Sequence, residues 1–133
     1  VDNLQYGGIV FWKTAAGGNV VKNNIVRNPL ALYDINLDGA SGPNTIGHNN
    51  KATISIDPNG AYNDGGTDVN VDPSFTSGSP TTWTDYRLQA GSPMIGAGET
   101  LSSPYNQGLD PAQTTTPTAK TQSAPPTIGA FTT

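Results

Sequence analysis

The chain has no cysteine, which removes disulfides and thiolate metal sites from consideration. Charge is scarce as well: Asp, Glu, Lys and Arg make up 12% of the residues, against about 25% in an ordinary globular chain. The net charge is −4, and the six Lys and Arg residues form no run or cluster that would neutralise a phosphate backbone, so no nucleic-acid partner is expected. No apolar stretch approaches the ~18 residues of a membrane span, and the first residues lack the pattern of a signal peptide. Hydrophobic residues are only 34%, against a usual ~45–50%, which predicts a thin core. Catalytic motifs of fixed spacing are missing: there is no P-loop, no Gly-x-Ser-x-Gly, no His-Glu-x-x-His and no calcium-loop pattern.

What fills the chain instead is Gly, Pro, Asn, Thr and Ser, with 16 Gly and 11 Pro in 133 residues. Room exists for one domain. Residues 8–50 read twice. A shift of 25 positions puts Val10 over Ile35, Ala15 over Ala40, Gly17 over Gly42, Asn19 over Asn44, Val21 over Ile46 and Asn24 over Asn49. A fixed period in this range marks a solenoid, whose units bury their apolar faces only against stacked neighbours. The apolar residues come as short bursts between Gly, Asn and Pro, as in Ile9 to Trp12, Val20-Val21 and Ile25-Val26. Bursts of that length are strands, too closely spaced for a strand-plus-helix repeat, and the Asn-rich corners suit left-handed turns. The repeat therefore predicts an all-β solenoid, a parallel β-helix. Residues equivalent on successive coils would sit about 4.8 Å apart, and Asn24 over Asn49 would form an amide ladder at an inward corner. Two ordinary turns would give the same Asn pairs without a ladder.

After Ala52 to Ile56, an alternating strand, the period fails at Asp57-Pro58-Asn59-Gly60. Short strands are expected at Val69 to Val71, Asp85 to Leu88, Met94 to Ala97 and Thr127 to Phe131. Residues 101–126, rich in Thr, Pro and Ser, read as a surface arm with little core of its own. The expected organisation is coils over 1–60, a terminal coil with cap strands over 61–100, and a Thr/Pro-rich arm with a closing strand over 101–133.

Three stretches of this second half, Asp72-Pro73-Ser74-Phe75, then Asp85-Tyr86-Arg87-Leu88-Gln89-Ala90-Gly91-Ser92-Pro93-Met94-Ile95-Gly96-Ala97-Gly98, then Pro126-Thr127-Ile128-Gly129-Ala130-Phe131, resemble the C-terminal end of secreted right-handed parallel β-helix proteins of the pectate-lyase-like superfamily. The resemblance implies a right-handed β-helix, secretion or display at a cell surface, and a polysaccharide partner. It does not distinguish polysaccharide lyases and glycoside hydrolases from members without a reaction. It further implies that Leu88, Ile95, Ile128 and Phe131 cover the open end of the last coil. The opposite end, with Val1 to Trp12, would then expose unpaired strand edges, so a native molecule that continues N-terminally, in the same β-helix or in a partner chain, is expected.

The same resemblance directs attention to basic groups on the lateral face, since β-helix lyases use a Lys or Arg base near carboxylates that hold calcium. The candidates are Lys22, Arg27 and His48, with His48 falling over Asn23 in the next coil. A Lys or Arg so placed could abstract an α-carbon proton or bind a uronate carboxylate. The plainer reading makes them solvated surface charges. Lys13 aligns with Asp38 as an exposed ion pair. Asp34 and Asp38, four apart with Asn36 between, could offer oxygen ligands to calcium or paired carboxylates for glycoside hydrolysis; the plainer reading is a polar strand face and a turn. Asp64 to Asp68 reads as a turn that could take a structural cation. Trp12 and Tyr33 are candidate sugar-stacking residues, whereas Trp83 and Tyr86 read as cap. Two functions follow as expectations: part of a carbohydrate-active lyase or hydrolase beside its glycan cleft, or a non-enzymatic glycan-binding surface protein, an adhesin or spike with the solenoid as stalk.

Overall fold

The computed structural model describes residues 8–11, 18–26, 34–36, 44–51 and 64–132. Its regular elements are strands and one 3-10 turn, with no α-helix among the described residues, so the protein is all-β. The chain divides into two compact units, Val1–Val71 and Asp72–Thr133.

Among the described residues of the first unit, six short strands form three parallel pairs. Strand β1 (Ile9–Val10) pairs with β4 (Ile35–Asn36), β2 (Val20–Lys22) with β5 (Thr45–Gly47), and β3 (Ile25–Val26) with β6 (Asn50–Lys51). Parallel pairing between segments this short requires a long return path, because no hairpin can join parallel neighbours. The second and third pairs return at the full period of the repeat, with Val21 opposite Ile46 and Ile25 opposite Asn50. A further bridge sets Val69 parallel to Asn50, a shorter return. Among the described residues the sheets remain two-stranded pairs and none closes on itself.

The first pair departs from the expected register. Ile9, not Val10, lies opposite Ile35, and Val10 lies opposite Asn36. Side-chain direction alternates along a strand, so a one-residue slip would exchange buried and exposed faces. Here Ile35 is fully buried and Ile9 packs against the same cluster, which the observed register allows. The shift is absorbed before the next pair, where Val20 lies opposite Thr45. Val21, Val26, Ile35 and Ile46 form the buried core of this unit, with Ile9 and Phe11 half-buried against it. Each such side chain contributes roughly 1.5–3 kcal/mol through removal from water.

The second unit corrects several expected strands. Asp85 to Leu88 is not a strand: Trp83–Tyr86 forms a 3-10 turn, and only Leu88 bridges, antiparallel, to Phe75. The cause is the side chain of Asp85, whose Oδ2 accepts the backbone N–H of Thr81 at 2.9 Å and of Thr82 at 3.0 Å, closing the turn at its start. Met94 to Ala97 forms successive turns, with the Ile95 N–H on the Ser92 carbonyl and Gly96 at φ +74°. Met94 is buried, while Ile95, expected as a cap, is exposed. Of Val69 to Val71 and Thr127 to Phe131, only Val69 and Phe131 take part in bridges. The Thr/Pro-rich arm contains an antiparallel hairpin of β7 (Gln107–Leu109) and β8 (Ala119–Thr121), and Leu109 bridges onward to Phe131. Backbone hydrogen bonds order it without a core. The expected strand at Ala52 to Ile56 lies outside the described residues.

Candidate functional site

The best-built polar feature is the corner that follows β2 and β5. At this corner Asn23 and His48, equivalent residues of successive levels, both take left-handed conformations, at φ +59° and +53°. Few residue types other than glycine and asparagine accept that geometry easily. The turn aims the next residue, Asn24 or Asn49, inward. Asn24 donates its backbone N–H and its Nδ2 to the side-chain oxygen of Asn49, each at 3.0 Å, and Nδ2 also reaches the Lys22 carbonyl. Fully buried Asn49 repeats the arrangement one level on. Its backbone N–H and Nδ2 both donate to Oδ1 of Asp68, at 2.8 and 3.2 Å, and Nδ2 also donates to the Val21 carbonyl. Each strand change leaves backbone groups without a ladder partner, and these amides supply one. A second, shorter ladder runs from Asn19 to the side-chain oxygen of Asn44.

At the third level the corner is Thr67-Asp68. The His48 N–H donates to Thr67 Oγ1 at 3.1 Å, and that hydroxyl donates to the Asp64 carbonyl at 2.6 Å. Asp68, whose side chain is 1% exposed, ends the ladder, and its Oδ2 lies 3.9 Å from Lys51 Nζ. Asp64 Oδ1 accepts the Gly66 N–H. Asp64 Oδ1 and the Asp68 carboxylate thus each face protein donors.

The predicted site residues divide by location. Lys22 and His48 come together at the backbone level, since Lys22 lies opposite Gly47 and His48 is the next residue at the same corner. Both side chains are half-exposed. Asp34 is fully buried, and its carbonyl accepts the N–H groups of Gly8 and Ile9, both at 3.0 Å. Arg27, Trp12, Tyr33 and Asp38 lie outside the described residues. Among the described residues no three His, Asp or Glu side chains gather as a metal-binding group, and no helix is long and apolar enough to cross a membrane.

The sequence does not single out Lys51, and it gives Asp68 as a turn residue or cation ligand, not as a rung of the ladder. A shift shorter than the main period, laying Gly66-Thr67-Asp68 over Gly47-His48-Asn49, is the signal that would have found them. In the second unit, Trp83 stacks on Phe131 at 6.0 Å and 12°, and the Arg87 guanidinium lies 5.7 Å from the Trp83 ring. Arg87 Nη2 donates to the Gln113 carbonyl. Tyr86 meets Phe75 edge-on at 5.4 Å. These rings are engaged within their own unit. Two carboxyls there are held below the ordinary 3.8: Asp85 chiefly by the N–H groups of Thr81 and Thr82, and Asp110 by the N–H of Ala112, then the Gln113 amide and the charge of Lys120.

Compared with family models, curated proteins and solved structures, the chain gave no match.

Proposed function

We propose that this chain is the C-terminal portion of an extracellular right-handed parallel β-helix protein that acts on polysaccharide, and that it supplies coils and cap beside the glycan cleft. The observation that carries this reading is the pair of equal parallel returns, β2 to β5 and β3 to β6, joined at one corner by the Asn24–Asn49–Asp68 ladder. Stacked, in-register returns are how a solenoid buries faces that no single coil can cover. Right-handedness is the strong preference of parallel crossovers. Lys22 and His48, half-exposed on adjacent levels of that corner, give a uronate carboxylate a cationic place to bind, and Arg27 follows Val26 of β3 in sequence. In a lyase, Lys22 or Arg27 would take the proton next to that carboxylate. The fully buried Asp34 suits an internal structural calcium better than an ion bridging to substrate.

A second reading has its own support: His48 acts at the corner through its backbone, in the same φ region as Asn23, which fits a stalk whose side chains recognise glycan without cutting it. Incubation of the whole chain with uronate and neutral polysaccharides separates the two. Cleavage, read as new reducing ends or as the ultraviolet absorbance of an unsaturated uronate, and its loss in Lys22→Ala, Arg27→Ala and His48→Ala, supports the enzyme. Retardation in polysaccharide-containing gels without cleavage supports the stalk. Neither cleavage nor retardation would sink both.

A further inference from the structure

The Thr/Pro-rich arm carries hydroxyl groups that the fold does not use. Of residues 114–123, six are Thr or Ser, and all six, Thr114, Thr115, Thr116, Thr118, Thr121 and Ser123, are exposed. Among the described residues none of their hydroxyls meets a hydrogen-bond partner. Hydroxyls elsewhere in the same unit hold its loops together: Ser92 Oγ donates to the Pro73 carbonyl at 2.6 Å, Thr76 Oγ1 to that of Asp85 at 3.2 Å and Thr132 Oγ1 to that of Leu109 at 3.3 Å. The backbone of the arm sets its hydroxyls out for reaction. Residues 114–117 make no backbone–backbone hydrogen bond among the described residues, yet the segment is tied at both ends: the Gln113 carbonyl accepts Arg87 Nη2, and the Thr118 carbonyl accepts the Asp110 N–H at 2.9 Å. A stretch of this kind can be drawn into an enzyme's cleft without unfolding anything else. Strand β8 follows with all three residues exposed, so neither of its faces is covered, and among the described residues its partner strand is β7 alone. An uncovered edge strand invites pairing with other chains.

We propose that Thr114, Thr115, Thr116 and Thr118 are acceptors of O-linked sugar. The inference rests on the extracellular reading and adds a modification that the reading does not require. Thr- and Ser-rich segments interrupted by Pro suit such transfer, because Pro117 keeps the backbone out of regular structure and leaves the neighbouring hydroxyls within reach. The donor is a nucleotide-activated hexose. The bond from sugar C1 to the donor's phosphate oxygen breaks, a bond from C1 to threonine Oγ1 forms, the hydroxyl proton passes to a base of the transferring enzyme, and a nucleoside diphosphate leaves. Phosphoryl transfer to the same hydroxyls fits less well. Consecutive Thr114, Thr115 and Thr116 would each carry close to two negative charges, on a chain whose net charge is already −4. Neutral sugars add bulk and solubility beside β8 without that repulsion.

The test takes the protein from its native source, recovers the tryptic peptide that begins at Leu88, and locates added mass by electron-transfer fragmentation. Whole hexose units on residues 114–118 are the expected result. A variant with Thr114→Ala, Thr115→Ala, Thr116→Ala and Thr118→Ala, made in the same source, should lose them and keep its fold by circular dichroism, since these hydroxyls hold nothing in place. An unmodified peptide, phosphate in place of hexose, or hexose confined to Thr100, Ser102 and Ser103 of the same peptide would overturn the proposal. Where the protein is found separates the modification from the reading beneath it. If it lies outside the cell and is unmodified, only the sugar fails. If it is confined to the cytosol, the extracellular reading fails and takes the sugar with it.

Discussion

The side-chain oxygen of Asn49 accepts both the backbone N–H and the Nδ2 of Asn24, at 3.0 Å each, across a separation of 25 residues. Asn49 is fully buried and passes two further hydrogen bonds to Asp68 and one to the Val21 carbonyl. Asn49→Ala keeps its backbone bond to Asp68 but takes the acceptor from the Asn24 N–H and the Nδ2 donor from the Val21 carbonyl, while Asn24 Nδ2 keeps the Lys22 carbonyl. Buried polar groups left unmet cost about 1–3 kcal/mol each, so the substitution should lower stability by roughly 3 kcal/mol or more. Asn19→Ala, at a half-exposed rung, should lose only about 1 kcal/mol. Urea denaturation of the two variants checks the order, and equal losses would mean that the buried ladder does not hold the coils together.

Asp68 and Lys51 make a different kind of contact, 3.9 Å apart with the two side chains 1% and 13% exposed. Asp68→Asn keeps an oxygen for the Asn49 donors and removes the charge that faces Lys51. The expected loss is about 1–3 kcal/mol, below that of a deeply buried pair because Lys51 retains some contact with water. If loss of the charge contact is the cause, adding Lys51→Met should recover part of the loss, since the methionine keeps the stem and removes the charge. A double variant less stable than Asp68→Asn alone, by thermal melting, would assign the loss to something else.

The second unit should be acid-sensitive through Asp85 and Asp110. Their carboxyl pKa values in the folded chain lie below the ordinary 3.8, because N–H groups of Thr81 and Thr82, and of Ala112, donate to the ionised forms. A lowered folded value means that the stabilisation is fully present above 3.8 and is lost as pH falls below it through the folded values. Carboxyl-carbon NMR titration should find both groups titrating below 3.8, and Asp85→Asn should flatten the acid limb of the stability profile while loosening the turn at Trp83. An unchanged acid limb in both Asp85→Asn and Asp110→Asn would count against this.

What the sequence could carry was repetition of residue type. Asn23 with His48 and Asn24 with Asn49 stand out because the same corner recurs at a constant period, and the left-handed turns and the ladder follow from it. The third level was hidden because it returns sooner than that period and substitutes Asp68 for Asn, an exchange that preserves the acceptor and abandons the donor. The register of Ile9 against Ile35 was missed for a related reason: a constant shift cannot show a slip of one residue. The 3-10 turn at Trp83 had its signal in Thr82-x-x-Asp85, a capping pattern outweighed by aromatic residues that suit a strand equally well. Of the candidate site, Lys22 and His48 meet at one corner because strand register places them there.

Arg87 offers the last test, because its guanidinium is held by shape as much as by charge. It lies 5.7 Å from the Trp83 ring, Nη2 donates to the Gln113 carbonyl, and buried Nε meets no acceptor among the described residues. Lysine keeps the charge but gives up the flat stack and the reach of Nη2, while still requiring its ammonium to be partly desolvated. Methionine loses the cation–π contact, worth roughly 0.5–1 kcal/mol at a partly exposed site, and the bond to Gln113. In exchange it removes the unmet Nε donor and keeps apolar contact with Trp83. Arg87→Met should therefore fall within about 1 kcal/mol of the parent, and Arg87→Lys should be the less stable of the two. Urea unfolding followed by Trp83 fluorescence, in a Trp12→Phe background, reads the difference directly. The reverse order would show that the positive charge, not the planar packing against Trp83, is what position 87 contributes.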